Sequence, residues 1–412
     1  MSSKNNSYLQ QYDSVVIFST ADWDNPFWTN KQHMACKLAD AGFKVLYIES
    51  LGLRKLTVKK NDLGRIGRRL IRFFKGAKKV RNNIWVYSPI VLPLHGVKAV
   101  ENLNQSILRM IVIFYRMRLG LKKTIGWTYN PLVVGLLKQL NFRAVVYHSV
   151  DDLSAAPRLP KEEIERAERE LLEYATIVFV TSKTLKEKYA RWTSRQVVYH
   201  PNVADYEHFS RARDIALDCP ADLAAFKGPK IGFVGAISGY KVDFDMLAEA
   251  ARKRPDLNWI LIGKVGEGDP ETDISRLSMP NIHLIGPRNY SELPAYLKYF
   301  DVVIIPSPLN DYTRAMFPMK FFEYLAAGKV VISTDLPSLS DFGDAFLKAH
   351  TADEMLLQID KVLSGDVFFD VRMEEVAQEH TWNKRLEKMM LEIERSTAES
   401  RSEKSIGEGS VC

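Results

Sequence analysis

The sequence predicts an α/β protein of two units, each a largely parallel sheet covered by helices and facing the other across a central cleft. Three observations predict it. Short β-rich runs alternate with helix-length stretches from end to end. The strand runs are apolar throughout, as in sheets covered on both faces, and the pattern pauses once near the middle. A length of 412 residues agrees with two or three domains, and 46% hydrophobic residues with a folded chain.

In the first half the strand runs are DSVVIFST (13–20), KVLYIES (44–50), NIWVYSP (83–89), KTIGWTY (123–129), AVVYHSV (144–150), TIVFVTS (176–182) and VVYHP (197–201). Helical patterning lies between most of them, first from about Lys31 to Ala41. Residues 203–229 lack strand character and end in Gly228-Pro229, which places the linker there. A second series follows: KIGFVGAI (230–237), NWILIGKV (258–265), IHLIGP (282–287), DVVIIPS (301–307), KVVISTD (329–335) and AFLKA (345–349). The result is two Rossmann-like domains, residues 1–205 and 206–380. A last helical pattern covers 381–395, and the small, polar residues 396–412 are expected to be disordered.

Net charge is +7, from 57 Lys and Arg against 50 Asp and Glu. The balance is uneven: residues 1–205 hold 33 basic and 17 acidic side chains, net +16, and the remainder 24 and 33, net −9. An anionic partner for the first half is implied. Cys36, Cys219 and Cys412 have no metal-like or disulfide spacing, so a reducing cytoplasm is the expectation. The polar start lacks an apolar signal core, and Ile107 to Leu121 is too short and too Arg-rich to span a bilayer.

Two segments of the second half carry chemistry. In KIGFVGAISGYKVDFDMLAEAA a buried strand runs into Gly235, a short loop with Lys241, and a helix. Small residues there let backbone amides approach a phosphate, and Lys241 is placed to neutralise a diphosphate. A plain structural turn is the other reading. In IIPSPLNDYTRAMFPMKFFEYLAAGKVVISTD a strand opens into a polar loop, Pro318 starts a helix bearing Lys320 and Glu323, and Gly328 ends it. A lysine in a first turn opposes the helix dipole unless an anion offsets it. Glu323, three residues on and on the same face, suits the two hydroxyls of a ribose; an intrahelical ion pair is the alternative.

These segments, together with GPRNYSELPAYL, WTNKQHMACKLADAGFKVLYIES and YHPNVADYEHF, resemble bacterial glycosyltransferases of the GT-B architecture. The likeness is to family 4 and to the xanthan-type glucuronosyltransferases of exopolysaccharide synthesis, from about Asp13 to Glu394. It implies that Arg288 and Tyr290 receive the nucleotide base, that helix 381–395 crosses back to the first domain, and that Asp151, in VVYHSVDDLSAAP, is the catalytic base. Asp151 also follows a buried strand on the side where α/β sheets bind ligands, with Asp152 the better candidate to cap the next turn. Two positions depart from the pattern: Ala315 stands where family 4 enzymes carry a first Glu, and Val203 where Gly is usual.

The loop TADWDNPFWTNKQ (20–32) offers Trp23, Asp24, Asn25, Trp28 and Asn30 to a sugar acceptor, or packs on its own domain. Between Arg54 and Arg81 twelve basic residues face a single acid, Asp62. Within it Arg65, Arg68, Arg69, Arg72, Phe73 and Phe74 form a basic amphipathic segment suited to an anionic membrane, and helix Asn102 to Leu121 extends it through Arg109, Arg116 and Arg118. The expected function is transfer of a sugar from a nucleotide-diphosphate donor to a lipid-linked or polysaccharide acceptor. The expected place is the cytoplasmic membrane face, in cell-surface or exopolysaccharide biosynthesis. No metal, no other cofactor and no nucleic acid is expected. The alternatives are a nucleotide-sugar epimerase of the same fold and a non-catalytic membrane-binding relative.

Overall fold

The computed structural model describes residues 7–25, 28–50, 75–89, 98–157 and 159–408. They form two compact units. The first comprises Met1–Val180, Leu185–His200 and Leu386–Cys412, the second Thr181–Thr184 and Pro201–Arg385.

The sheet of the first unit contains β1 (Ser14–Phe18), β2 (Lys44–Ile48), β3 (Lys78–Arg81), β4 (Ile84–Tyr87), β5 (Thr124–Thr128), β6 (Ala144–Ser149), β7 (Ile177–Val180) and β8 (Val197–Tyr199). Their order is β3-β4-β2-β1-β5-β6-β7-β8. Every pair is parallel except β3 with β4. Central strands β1, β5 and β6 are buried at every residue, as continuous apolar runs require when helices cover both faces. The sequence reading missed β3. Its residues, KKVR, are mostly exposed, and lysines on an edge strand discourage pairing with other chains while hiding the strand pattern. The helices are α1 (Ser7–Gln11), α2 (Asn30–Asp40), α3 (Lys98–Leu119), α4 (Val134–Gln139), α5 (Lys161–Tyr174) and α6 (Lys183–Ala190).

The main segment of the second unit, Pro201–Arg385, takes in residues 203–229, which are part of its core rather than a linker. They fold as α7 (Tyr206–Ser210), a 3-10 turn and α8 (Ala221–Ala224), and bury Phe209, Ala212 and Leu223 in the core of this unit. Its parallel sheet has the order β11-β10-β9-β12-β13-β14, built from β9 (Lys230–Val234), β10 (Asn258–Ile262), β11 (Ile282–Gly286), β12 (Val302–Ile305), β13 (Val331–Ser333) and β14 (Leu347–Lys348). The helices are α9 (Phe244–Lys253), α10 (Leu293–Lys298), α11 (Asp311–Ala315), α12 (Lys320–Ala326), α13 (Ala352–Leu363) and α14 (Val371–Glu379).

Two core layers sandwich this sheet, and the period-2 alternation of its strands divides them. Trp259, Leu261, Val302 and Ile304 face α9 and α13, whereas Ile260, Ile262, Val303 and Ile305 face α12 and α14. Capping fixes α9, where the Asp243 carboxylate accepts from the Met246 amide at 2.9 Å, and α13, where Thr351 does the same for Glu354 at 3.2 Å.

The last helix, α15 (Trp382–Glu408), starts in the second unit, and from Leu386 onward it belongs to the first. Met389, Met390 and Ile393 are fully buried, and the Thr397 hydroxyl meets that of Tyr12 at 2.8 Å. Residues 396–408 are therefore helical rather than disordered. Propagating an existing helix through Ser, Ala, Glu, Arg and Lys costs far less than nucleating one. Among the described residues no helix is long and apolar enough to cross a membrane.

Candidate functional site

In the second unit the candidate residues collect where β9 ends. Four of the seven α12 residues, Phe321, Phe322, Leu325 and Ala326, are buried among core side chains. A fifth, Tyr324, is fully buried, and its hydroxyl accepts the Val234 amide at 2.8 Å, pinning the helix to the last residue of β9. That orientation leaves Lys320 and Glu323, three residues apart, on the partly accessible side. Gly328, at φ 74°, closes the helix in the left-handed conformation and donates to the Leu325 carbonyl at 2.9 Å.

Gly235 is required here by space. A Cβ on it would lie 2.9 Å from Cε and 3.1 Å from Nζ of Lys320, so the missing side chain is the room the lysine occupies. A second glycine, which the sequence reading did not single out, holds the turn: a Cβ on Gly263 would stand 1.7 Å from the Gly235 carbonyl oxygen. Beyond Gly235, the Ser238 carbonyl accepts the amides of Lys241 and Val242 at 2.8 and 2.9 Å, which folds the loop back before α9. Lys241 lies over the rings of Tyr240 and Tyr312, at 5.3 and 5.5 Å from their centroids.

Electrostatics couples these groups. Burial pushes the Lys320 ammonium down to about 8, with Glu323 opposing the shift and Lys241 adding to it. Burial pushes Glu323 up to about 7, with Lys320 opposing and Asp205 adding to it. Both charges are thus disfavoured by desolvation, and the two lysines repel each other. An anion with two charged oxygens between the lysines would offset the desolvation of Lys320 and their mutual repulsion.

Of the two residues expected at the base, Tyr290 belongs to this cluster. Burial raises its hydroxyl pKa first, and the nearby Glu323 and Asp205 raise it further. Its ring stacks on His208 at 4.2 Å and 12°. Arg288 is instead committed to a structural network. It donates to the Tyr296 hydroxyl at 2.7 Å and to the Asp222 carboxylate at 2.5 Å, tying α10 to α8. Asp205 and His208 escaped the sequence reading although both stand in the segment YHPNVADYEHF. Treating that segment as a linker hid them.

In the first unit Asp151 and Asp152 follow β6. Asp152 is the capper: its carboxylate accepts from the Ser154 amide at 3.1 Å and from Lys188 at 2.8 Å. Below it Glu168 is fully buried and accepts from the hydroxyls of Tyr147 and Tyr189 at 3.0 and 2.7 Å. Burial raises its pKa, and the neighbouring Lys188 opposes the rise. This network braces the loop, leaving Asp151 partly accessible at its start.

Residues 20–25 and 28–32 pack on their own unit to a large degree. Trp23 meets Trp28 at 5.8 Å and Tyr47 edge-on at 5.2 Å, and its amide donates to the buried Glu49 at 2.7 Å. Asn30 is buried in the first turn of α2, so of the acceptor candidates Asp24 is exposed and Trp23, Asn25 and Trp28 are partly so. Asn30 is the least accessible of the acceptor candidates. The membrane candidates Arg65, Arg68, Arg69, Arg72, Phe73 and Phe74 lie outside the described residues.

Residues 228–364 match the family described as Glycosyl transferases group 1. That match falls within the second unit and contains the cluster around Lys320. Over 269 residues the chain is 29% identical to TuaH of Bacillus subtilis (strain 168), described as a teichuronic acid biosynthesis glycosyltransferase; the alignment spans 60% of this chain and 66% of TuaH. The fold is shared more widely. Sucrose-phosphate synthase from Thermosynechococcus elongatus superposes with a TM-score of 0.68 at 17% identity, covering 94% of this chain and 99% of its own. The Anabaena protein HepE, crystallised with UDP and glucose, gives 0.63 at 12% identity, covering 95% and 99%. Two Rossmann-like units of parallel sheet, the GT-B architecture, are thereby established for the chain.

Proposed function

We propose that the protein is a glycosyltransferase that moves a hexosyl or glycuronosyl group from a nucleoside-diphosphate donor to a glycan or lipid-linked acceptor in polysaccharide biosynthesis. The observation that carries this reading is the cluster at the end of β9, where Gly235 makes room for Lys320 beside Lys241 and Glu323. The family match over the same residues supports it, as do the description of TuaH and the UDP and glucose held by HepE.

In this reading Lys320 and Lys241 hold the diphosphate. As the anomeric carbon–oxygen bond breaks, negative charge grows on the departing nucleoside diphosphate, and preplaced cations stabilise that charge more than the ground state. The lysines supply this charge without a metal. Glu323 accepts the ribose hydroxyls, with Tyr290 and Asp205 beside it. Asp151 takes the proton of the acceptor hydroxyl as its oxygen attacks. The reaction takes place in the cytoplasm.

The test is a donor screen. Purified protein is heated with UDP, GDP and their sugars, and nucleotide release is measured with a membrane extract as acceptor. Stabilisation by one nucleotide and release of its diphosphate are expected, with turnover unchanged by EDTA. If no nucleotide raises the melting temperature and none is released, the reading fails. An isomerised sugar nucleotide without release would identify an epimerase instead.

A further inference from the structure

α3 is amphipathic in an unusual sense, because it is apolar on both its inner and its outer face. Inward, Leu108 and Val112 are buried and Tyr115 packs on Tyr87 at 5.3 Å, its hydroxyl accepting the Ala77 amide at 2.8 Å. Outward, Leu103, Met110, Phe114 and Met117 are 48%, 63%, 51% and 72% exposed. These four are spaced by seven, four and three residues, which aligns them in one stripe along the helix. Four large apolar side chains in a line are not scattered surface hydrophobics, which need no explanation; together they form a patch that does.

The surroundings name the partner. Segments 75–89 and 98–123, the second of which takes in all of α3, contain ten Lys and Arg and a single acid, Glu101. Tyr115 joins the two segments at Ala77, next to the start of β3, and Lys78, Lys79, Arg118 and Lys122 are all exposed. Of the neighbouring carboxylates, Asp40 pairs with Arg81 at 2.9 Å, Glu49 accepts from the Ser88 hydroxyl, and Asp13 is engaged by the Lys122 and Lys123 amides at 3.3 and 3.0 Å. At the C-terminal end of the stripe an open cavity of about 420 Å³ is lined by Ile113, Met117 and Leu121, with Arg116 and Lys122 among its other residues. Arg116 gives one N–H to the Leu140 carbonyl at 2.6 Å, and its other N–H groups together with Lys122 and the apolar walls suit a phosphate joined to hydrocarbon. An apolar stripe flanked by cations, with Glu101 the one acid on its helix, fits an anionic bilayer better than it fits a protein core or a nucleic acid.

We propose that α3 is an interfacial helix, with its Leu103–Met117 stripe sunk into the headgroup boundary of an anionic membrane and a lipid phosphate held in the Arg116–Lys122 cavity. The helix lies in the plane of the surface and does not cross it. This goes beyond the transferase reading and stands without it.

The test is co-sedimentation of the full chain with vesicles of phosphatidylcholine alone or mixed with phosphatidylglycerol. Binding is expected to the mixed vesicles, weakening at high salt. Phe114→Ser with Met117→Ser should lower partitioning at least about tenfold, and Arg118→Glu with Lys122→Glu should do the same. Both pairs are surface changes, so melting temperature and its shift by UDP or GDP serve as controls and should match the unaltered protein. The proposal is overturned if the protein ignores mixed vesicles, binds neutral ones as well, or binds equally with Ser at 114 and 117. It is also overturned if sedimentation velocity shows a dimer that the Ser pair dissociates while vesicle binding persists, because a second copy would then cover the stripe. Vesicle binding without any nucleotide shift would overturn the transferase reading alone.

Discussion

Lys320→Met separates binding from stability at one position. The ammonium is desolvated, sits over the Phe233 ring at 5.1 Å, and is repelled by Lys241. Methionine keeps the hydrocarbon that fills the space above Gly235 and removes the buried charge. Removing one member of a buried ion pair destabilises when the other is left charged, but Glu323, already raised to about 7, can take up a proton, so the melting temperature should hold near neutral pH. A hydrogen bond to a charged group contributes about 1.5–3 kcal/mol, which predicts nucleoside diphosphate binding about 10- to 150-fold weaker. Glu323 loses the neighbour that lowers its pKa, so it becomes more readily protonated and the variant is not left with an obligatory lone charge. Calorimetric titration with UDP and GDP, beside thermal melts without ligand, reads both quantities. Unchanged affinity together with a large loss of stability would refute the assignment and make Lys320 a structural ion-pair partner.

Three other outcomes follow from the same geometry. Because the Lys320 pKa is lowered to about 8, its proton is lost as pH rises past that value, and diphosphate affinity should fall up to about tenfold per unit above it; Lys320→Arg should flatten that limb, since arginine stays charged. Gly235→Ala crowds the flexible end of a lysine at 2.9 Å and puts a Cβ on a backbone at φ 157°, so it should bind nucleotide poorly and lose some stability, whereas Gly263→Ala puts a methyl 1.7 Å from a backbone oxygen and should destabilise by about 1–3 kcal/mol or more in a denaturant melt. Asp151→Asn should keep the nucleotide-induced thermal shift and lose most turnover, while Asp152→Ala removes a cap and should cost about 1 kcal/mol in the same melts.

Features written in local pattern were legible in the sequence. The buried strands announced themselves as apolar runs, because a strand covered on both faces has no polar positions to interrupt it. Lys320 and Glu323 could be paired by their spacing alone, since three residues of helix bring two side chains to one face. Asp152 could be named as the capper before its hydrogen bonds were seen. The edge strand β3 was hidden because it answers to solvent rather than to a core, and the helical residues 396–408 because composition alone does not reveal a helix that is merely being continued.

Contacts between residues distant in the chain were decided by tertiary structure. Whether Arg288 faces a ligand or a carboxylate depended on Asp222, 66 positions away. Asp205 acts on Glu323 although the two are far apart in the chain, and Gly263 matters only because another loop passes within van der Waals contact of it. The outward stripe of α3 is a tertiary result too. Its periodicity fits core burial equally well, and only the exposure of Met110 and Met117 shows which apolar face the protein leaves uncovered. Periodicity is a property of one segment, whereas burial and charge coupling belong to the whole set of neighbours that folding assembles.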